Sequence, residues 1–298
     1  MKTEAIKGIN MAKTVQIGNK KIGKNEPCFI IAEIGINHNG SINNAKKLID
    51  LAKTYGCDAV KFQKRTVDVV YTKEELEMPR PSVFGTTNGD LKRGLEFGYK
   101  EYKEIDNYCK KKDILWFASE WDIKSVDFTE QFDVCAHKVS SACLTDLELL
   151  KHMKKTGKPL LLSTGMSTIE EIDKAVEIVG LDNTVLFHCT STYPCENSEI
   201  NLKVIPELIK RYDCPIGYSG HEKGILPSSI SVILGACAVE RHITTDRTLW
   251  GSDQAASLEP EGLRKLVRDI RSVNTILGDG IKKIYESEIP VKKKLRRF

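Results

Sequence analysis

Eight short apolar stretches, each followed by an amphipathic one, constrain the fold of this chain more than any other feature. The strand-like stretches fall at about 29–36, 59–63, 114–119, 134–140, 159–163, 184–190, 215–219 and 239–243. The helix-like ones fall at about 43–56, 100–112, 123–131, 145–156, 168–179, 202–211, 225–236 and 260–277. Such alternation builds a parallel sheet, because parallel neighbours need a long crossover between them. Eight repeats over roughly 250 residues predict an α/β chain closed as a (β/α)8 TIM barrel. An open doubly wound sheet fits less well, since no glycine-rich dinucleotide fingerprint follows the first strand.

Other local signals complete the outline. Val15–Ile17, Gly18-Asn19 and Lys20–Ile22 read as an N-terminal β-hairpin with a two-residue turn. Two S/T-x-x-E spacings, Thr145 to Glu148 and Ser167 to Glu170, read as capping boxes at helix starts. The connection from Tyr71 to Gly98 reads as a long loop, rich in Pro and Gly, that overhangs the C-terminal ends of the strands. The expected division is an N-terminal extension with the hairpin at 1–28, the barrel at 29–280 and a basic tail at 281–298.

Composition excludes some functions. The chain has 45 basic and 41 acidic residues, and a net charge of +4 gives no electrostatic footprint for nucleic acid or a membrane surface. No apolar run approaches the roughly 18 residues of a membrane span. Nine scattered cysteines, an odd number with no C-x-x-C pair and no signal peptide, suggest reduced thiols and a cytoplasmic location.

In barrels the chemistry gathers at the C-terminal ends of the strands. Glu33 lies inside an apolar strand, where a carboxylate is costly unless a cation or donor meets it. Lys61 and Lys138, with Ser141, Ser163 and Ser219, would suit a phosphate dianion. Each lysine could instead be a paired structural cation or a Schiff-base former. His221 and His242 end neighbouring strands, close enough to share a divalent metal acting as a Lewis acid. They could equally be one core and one loop histidine. Glu33 and Asp253 are the acids placed for a polar substrate, although Glu33 could simply hold a strand lysine. His38 could join the site or only shape the Asn37–Gly40 turn.

Taken in order, Ile31-Ala-Glu-Ile-Gly-Ile-Asn-His-Asn-Gly40, Val60-Lys-Phe-Gln63, Leu162-Ser-Thr-Gly-Met166, His188-Cys-Thr-Ser-Thr-Tyr-Pro194, Gly217-Tyr-Ser-Gly-His221, Glu240-Arg-His-Ile-Thr244 and Ala256-Ser-Leu-Glu-Pro260 resemble the sialic acid synthase (NeuB, N-acetylneuraminate synthase) family over about residues 14–297. The resemblance implies a cytoplasmic transferase of sialic acid biosynthesis that condenses phosphoenolpyruvate with an N-acylated hexosamine such as N-acetylmannosamine. The products would be a nine-carbon 2-keto sugar acid and phosphate. It implies a divalent metal, Mn2+ or Mg2+, on His221 and His242. It places Lys61, Lys138, Ser141, Ser163 and Ser219 on phosphoenolpyruvate and Glu33, Gln63, Tyr193 and Asp253 near the acceptor, counts Ser191 among the substrate-binding residues, and makes Glu33, Lys61 and Lys138 the catalytic group. It also implies a hairpin covering the barrel's bottom and a homodimer with small-molecule substrates.

Four departures bear on these expectations. Glu120 stands where other members carry threonine near the phosphate, and two anions would repel there, so either it points away or this subgroup differs. Cys143 replaces a glutamate, and Ser191 an asparagine. The chain stops at Phe298, where typical members continue into an antifreeze-like domain that lends an arginine to the neighbouring subunit's sugar pocket. A legionaminic-, pseudaminic- or deaminated-acid synthase, an inactive sugar- or phosphate-binding barrel, and a metal-dependent aldolase or hydrolase are the competing readings.

Overall fold

The computed structural model describes residues 13–298; the first twelve residues of the predicted extension lie outside them. A hairpin of β1 (Thr14–Ile17) and β2 (Lys20–Gly23) comes first, paired Ile17 to Lys20 across the expected two-residue turn. Its Val15, Ile17 and Ile22 are buried. The turn residue Gly18, at φ +56°, presses against Leu115 and Cys135 near the starts of barrel strands. Lys20 reaches Asp58, at the foot of another strand, at 2.5 Å. The hairpin thus covers the bottom of the barrel.

The barrel then forms in sequence order. β3 (Phe29–Gly35) leads through α1 (Ile42–Thr54) to β4 (Ala59–Lys64). Between β4 and the next barrel helix lie α2 (Val67–Val70), α3 (Lys73–Glu77), a hairpin of β5 (Pro79–Ser82) and β6 (Gly85–Thr87), and α4 (Asn88–Leu95). The sequence continues with α5 (Tyr99–Lys112), β7 (Leu115–Glu120), α6 (Ile123–Glu130), β8 (His137–Val139), α7 (Leu147–Lys155), β9 (Leu160–Ser163) and α8 (Ile169–Val179). β10 (Thr184–Cys189), α9 (Val204–Arg211), β11 (Ile216–Gly220), α10 (Leu226–Ile233), β12 (Ala238–His242) and α11 (Pro260–Leu277) close it, and α12 (Ile289–Leu295) follows on the exposed tail. The eight strands β3, β4 and β7–β12 form one closed parallel barrel, β12 pairing back to β3. This is the (β/α)8 barrel with an N-terminal hairpin that the alternation predicted.

The interior is filled in layers, as pleating requires of inward-facing alternate residues. Ile31, Phe117, Leu161 and Phe187 are buried beneath the barrel mouth. Gly217 is obligatory in this layer, because a Cβ there would stand 2.6 Å from the Phe187 ring. Polar side chains occupy the level above.

Three local expectations need correction. The Tyr71–Gly98 segment is not an open loop. Thr72–Glu75 and Thr87–Asp90 close capping boxes that start α3 and α4, and Phe84 packs on Gly94 and edge-on to Trp250, 5.8 Å away. It does stand beside the mouth, because Gly40 and Trp250 are in the loops after β3 and β12. The capping register is one residue late in both predicted boxes. Asp146 caps α7 by accepting from Leu149 N, an anion at the positive end of the helix, and Thr168 pairs with Glu171 rather than Ser167 with Glu170. Finally, the predicted strand 134–140 shortens to β8, since Asp133 turns at φ +53° and Ser141–Cys143 winds into a 3-10 turn.

Candidate active site

Strand register assembles the site. His242 pairs laterally with Glu33, and Glu33 with Lys61. Gln63 pairs with Ser119, and Ser119 with Lys138. Paired residues in a parallel sheet face the same side, so these groups converge inside the barrel mouth. They line a cavity of about 180 Å³. Glu33, Lys61, Gln63, Lys138, Ser141, Ser163, Ser191, Tyr193, Ser219, His221 and His242 all border it. Asp253 sits at its rim, 3.8 Å from His242 Nδ1.

Two buried lysines sit in different fields. Lys61 Nζ lies 3.0 Å from Glu240 Oε1, 3.3 Å from Glu33 Oε2 and 2.9 Å from Ser119 Oγ. Burial disfavours its charge, but the two carboxylates outweigh burial and raise its pKa. Lys138 donates to Ser163 Oγ and, at 3.1 Å, to the Val139 carbonyl, and lies 5.4 Å over the Phe187 ring. Without a carboxylate in contact, burial and then the neighbouring Lys61 bring its pKa down to about 8, against a pull from Glu240. Lys138 is therefore the cation most in need of an incoming anion.

The carboxylates divide in the same way. Burial lifts the Glu33 carboxyl to about 7 despite Lys61, and the charge of Glu240 adds to the rise. Its Oε1 accepts from Gln63 Nε2 at 3.1 Å, while Oε2 has no hydrogen-bond partner. Glu240 is held well below the usual carboxylate range, because Lys61 and Lys138 overcome its burial. Glu240 is the functional candidate that the sequence reading passed over. The signal was present: Glu240 and His242 are two apart on one strand and face the same side, while Arg241 points outward to Glu222 Oε1 at 2.7 Å.

The two histidines stand side by side, and burial disfavours the charged form of each. Their ring centroids lie 5.6 Å apart. His221 Nδ1 stands 2.7 Å from the Thr190 carbonyl, which can only accept, so Nδ1 carries the proton and Nε2 keeps a free lone pair. Burial and the His242 neighbour depress His221 to about 3. His242 is also lowered by burial, and its Nδ1 is buried without a partner. That orphaned atom and the two neutral imidazoles fit a metal held by two protein ligands with open positions. Among the described residues no third His, Cys, Asp or Glu completes a metal cluster. Tyr193 packs against His221 with tilted rings, their centroids 4.1 Å apart, on this side of the cavity.

Hydroxyls and amides line the opposite side. Ser141 Oγ accepts from Gly165 N at 3.1 Å and lies 3.2 Å from Cys189 Sγ, while Ser191 Oγ is buried without a partner. Ser219 donates to Glu240 Oε1 at 3.2 Å. Ser119, Trp121, Ser140 and Met166 also face the cavity.

Several polar residues of the strand ends belong to the scaffold. His38 stacks on Phe97 at 4.0 Å and accepts from Gly40 N, so it shapes the turn. Asn37 donates to Ile243 O and Ser257 Oγ, and His188 donates to Ile200 O. Glu120 points away from the cavity, toward Thr129 Oγ1 at 2.9 Å and His137 Nδ1 at 3.0 Å. Cys143 is buried outside the cavity in the packing around α7.

A model of the NeuB family matches residues 48–282. N-acetylneuraminate-9-phosphate synthase of Homo sapiens is 40% identical over 279 residues, covering 92% of this chain and 78% of that protein. N,N'-diacetyllegionaminic acid synthase of Legionella pneumophila is 36% identical over 290 residues, covering 94% and 82%. The crystal structure of N-acetylneuraminic acid (sialic acid) synthetase from Leptospira borgpetersenii in complex with citrate superposes with a TM-score of 0.83 at 34% identity, covering 96% of this chain and 99% of that one.

Proposed function

The chain belongs to the NeuB family, and from that premise we propose that it condenses phosphoenolpyruvate with an open-chain N-acylated hexosamine. The products are a 2-keto sugar acid of the sialic type and inorganic phosphate. One observation carries the reading. Lys138, a buried cation without a carboxylate in contact, shares a cavity with serine hydroxyls, a second lysine and two neutral histidines. That set matches a phosphate ester at one end and a carbonyl electrophile at the other.

Lys138, with Ser163, Ser141 and the Gly165 amide, binds the phosphate, whose charge restores the full cationic state of Lys138. Lys61 is held between Glu33 and Glu240 and stands ready for the carboxylate of the same substrate. C3 of phosphoenolpyruvate forms the new bond to the aldehyde carbon, the carbonyl oxygen becomes a hydroxyl, and positive charge develops at C2. Glu33 and Glu240, both buried beneath the mouth, stabilise that charge. Water then adds at C2, and Glu33 Oε2, 3.3 Å from Lys61 Nζ and part of a carboxyl lifted to about 7, accepts its proton. Breakage of the C2–O bond releases phosphate, which carries off the remaining proton of the C2 hydroxyl as that oxygen, from water, becomes the keto oxygen; the proton taken by Glu33 completes the new hydroxyl on the former aldehyde oxygen. His221 and His242 would hold a divalent ion, Mn2+ or Mg2+, whose Lewis acidity polarises the aldehyde.

Asp253 and Gln63, at the rim beside Gly35, meet the acceptor hydroxyls. A Cβ on Gly35 would fall 3.0 Å from Glu33 Oε1 and 3.1 Å from Gln63 Nε2, so this position must stay bare. The test is phosphate release from phosphoenolpyruvate against a panel of aldehyde sugars, with mass spectrometry of the product. Release with N-acylated hexosamines supports the reading. Release only with tetrose or pentose phosphates, or turnover without phosphoenolpyruvate, sinks it. Legionaminic- and pseudaminic-type acceptors belong in the same panel.

A further inference from the structure

Arg65 stands outside the catalytic cavity, yet it touches two side chains that border it, Gln63 and Trp121. It follows β4 by one residue and is buried. Its Nη2 donates to Gln63 Oε1. Its Cζ lies over the Trp121 ring, 4.4 Å from the centroid. Glu96, just past α4, holds it from a third side. Glu96 Oε2 accepts from the Arg65 backbone N at 3.2 Å, and Oε1 stands 3.8 Å from Nη1.

These contacts decide how Gln63 faces the site. The Gln63 backbone is held by strand pairing and by Tyr102, whose hydroxyl donates to its carbonyl at 3.0 Å. The side-chain amide has one accepting and one donating end. A guanidinium can only donate, and an ionised carboxylate can only accept. With Arg65 on one side and Glu33 on the other, one orientation satisfies both. Oε1 meets Arg65, and Nε2 donates to Glu33 Oε1 at 3.1 Å. A turned amide would set acceptor against acceptor at Glu33 and donor against donor at Arg65. Stacking on Trp121 and the hold of Glu96 keep the guanidinium from following such a turn.

We infer that Arg65 is a positioning residue for the condensation. It fixes the Gln63 amide so that Nε2 engages Glu33 Oε1 and Glu33 Oε2 stays free for the proton of the attacking water. Arg65 acts through Gln63 and touches no substrate. Its effect on turnover rests on the proposed condensation, whereas the orientation of the amide stands on geometry alone. Loss of that orientation should slow turnover by about ten- to a hundredfold.

The test reads the amide first. Glutamine side-chain nitrogens are isotope-labelled, and Gln63→Met assigns the Gln63 signal in the NMR spectrum. In the wild type, the Gln63 amide protons should exchange with solvent at least about tenfold more slowly than those of the exposed Gln131. In Arg65→Met that protection should fall by about tenfold, and in Arg65→Lys, which lacks the planar fork, by at least about threefold. A double-mutant cycle then reads turnover at saturating substrates. Arg65→Met and Gln63→Met should each lower kcat by about ten- to a hundredfold, and the double variant should be no slower than Gln63→Met alone. The KM for phosphoenolpyruvate should stay within about twofold of the wild type in Arg65→Met.

Unprotected Gln63 protons in the wild type, or wild-type protection in both Arg65 variants, overturn the inference. So do kcat losses that multiply in the double variant, because Arg65 would then act other than through Gln63. If Arg65→Met does not fold, Arg65→Lys decides, in exchange and in the cycle with Gln63→Met. If the wild type condenses no sugar with phosphoenolpyruvate, the proposed function fails, and proton exchange alone decides whether Arg65 orients Gln63.

Discussion

Glu120 Oε1 lies 3.0 Å from Nδ1 of His137, and neither side chain retains exposed surface. On its other side the imidazole faces Glu130 Oε1 at 3.1 Å. Two carboxylates around one ring require both nitrogens to donate, so His137 is an imidazolium. Burial opposes that charge, and Glu120 and Glu130 overcome it and raise the pKa. Glu120 is therefore no obstacle to phosphate: its charge is consumed on the outer side of the strand that precedes Lys138.

Glu120→Gln should cost about 3 kcal/mol, because it strands a buried cation, while the KM for phosphoenolpyruvate stays unchanged. Denaturant unfolding and steady-state kinetics together test this. A large rise in KM without loss of stability would return Glu120 to the site.

The same pair gives stability a pH signature. A folded pKa above the unfolded value, about 6.5, contributes stability that is full below pH about 6.5 and is lost as pH rises through the folded value. The difference in unfolding free energy between wild type and His137→Gln should shrink over that rise. Parallel curves from pH 5 to 9 would refute a charged His137.

Activity should be confined to a narrow window near neutrality. Lys138, brought down to about 8, loses its proton above that pH, and phosphoenolpyruvate binding weakens. Glu33, lifted to about 7, is a competent base only above that value. The profile of kcat/KM should rise through about 7 and fall through about 8. Lys138→Arg should push the alkaline limb upward, and Glu33→Gln should leave only a limb due to the substrate's own phosphate. An unaltered profile in both variants would remove these assignments.

Metal dependence falls on two side chains. After chelation, Mn2+ or Mg2+ should restore phosphate release to the wild type. His221→Ala and His242→Ala should each lose that stimulation by at least about a hundredfold. Full turnover by either chelated variants or chelated wild type would eliminate the metal.

Gly165 leaves room for two hydroxyls. A Cβ there would collide with Ser191 Oγ and stand 2.8 Å from Ser141 Oγ. Gly165→Ala should destabilise the fold by about 1–3 kcal/mol and raise the KM for phosphoenolpyruvate about tenfold by displacing Ser141. A variant with wild-type KM would separate Ser141 from phosphate binding.

The barrel was legible in the chain because its signals are local. Apolar runs of strand length alternate with helical periodicity, and each β–α unit carries its own cap and turn chemistry. The same periodicity exposes the strand-end residues, so Glu33, Lys61, Lys138, His221 and His242 could be named before any coordinates. Glu240 could have joined them by parity with His242.

Tertiary structure decided what depends on contacts across the barrel. The sequence marks Lys61 and Lys138 as equivalent cations, yet one is bracketed by two carboxylates and the other by none, because strand register alone sets their neighbours. It leaves open whether Glu120 points away from the phosphate, and the strand turns that carboxylate onto His137, a partner the sequence did not name. It marks Tyr71–Gly98 as a loop, because helices this short have no periodicity to read, yet they fold against Trp250 and bring Glu96 onto Arg65. Charge and packing partners come from residues distant in sequence, and no local pattern encodes them.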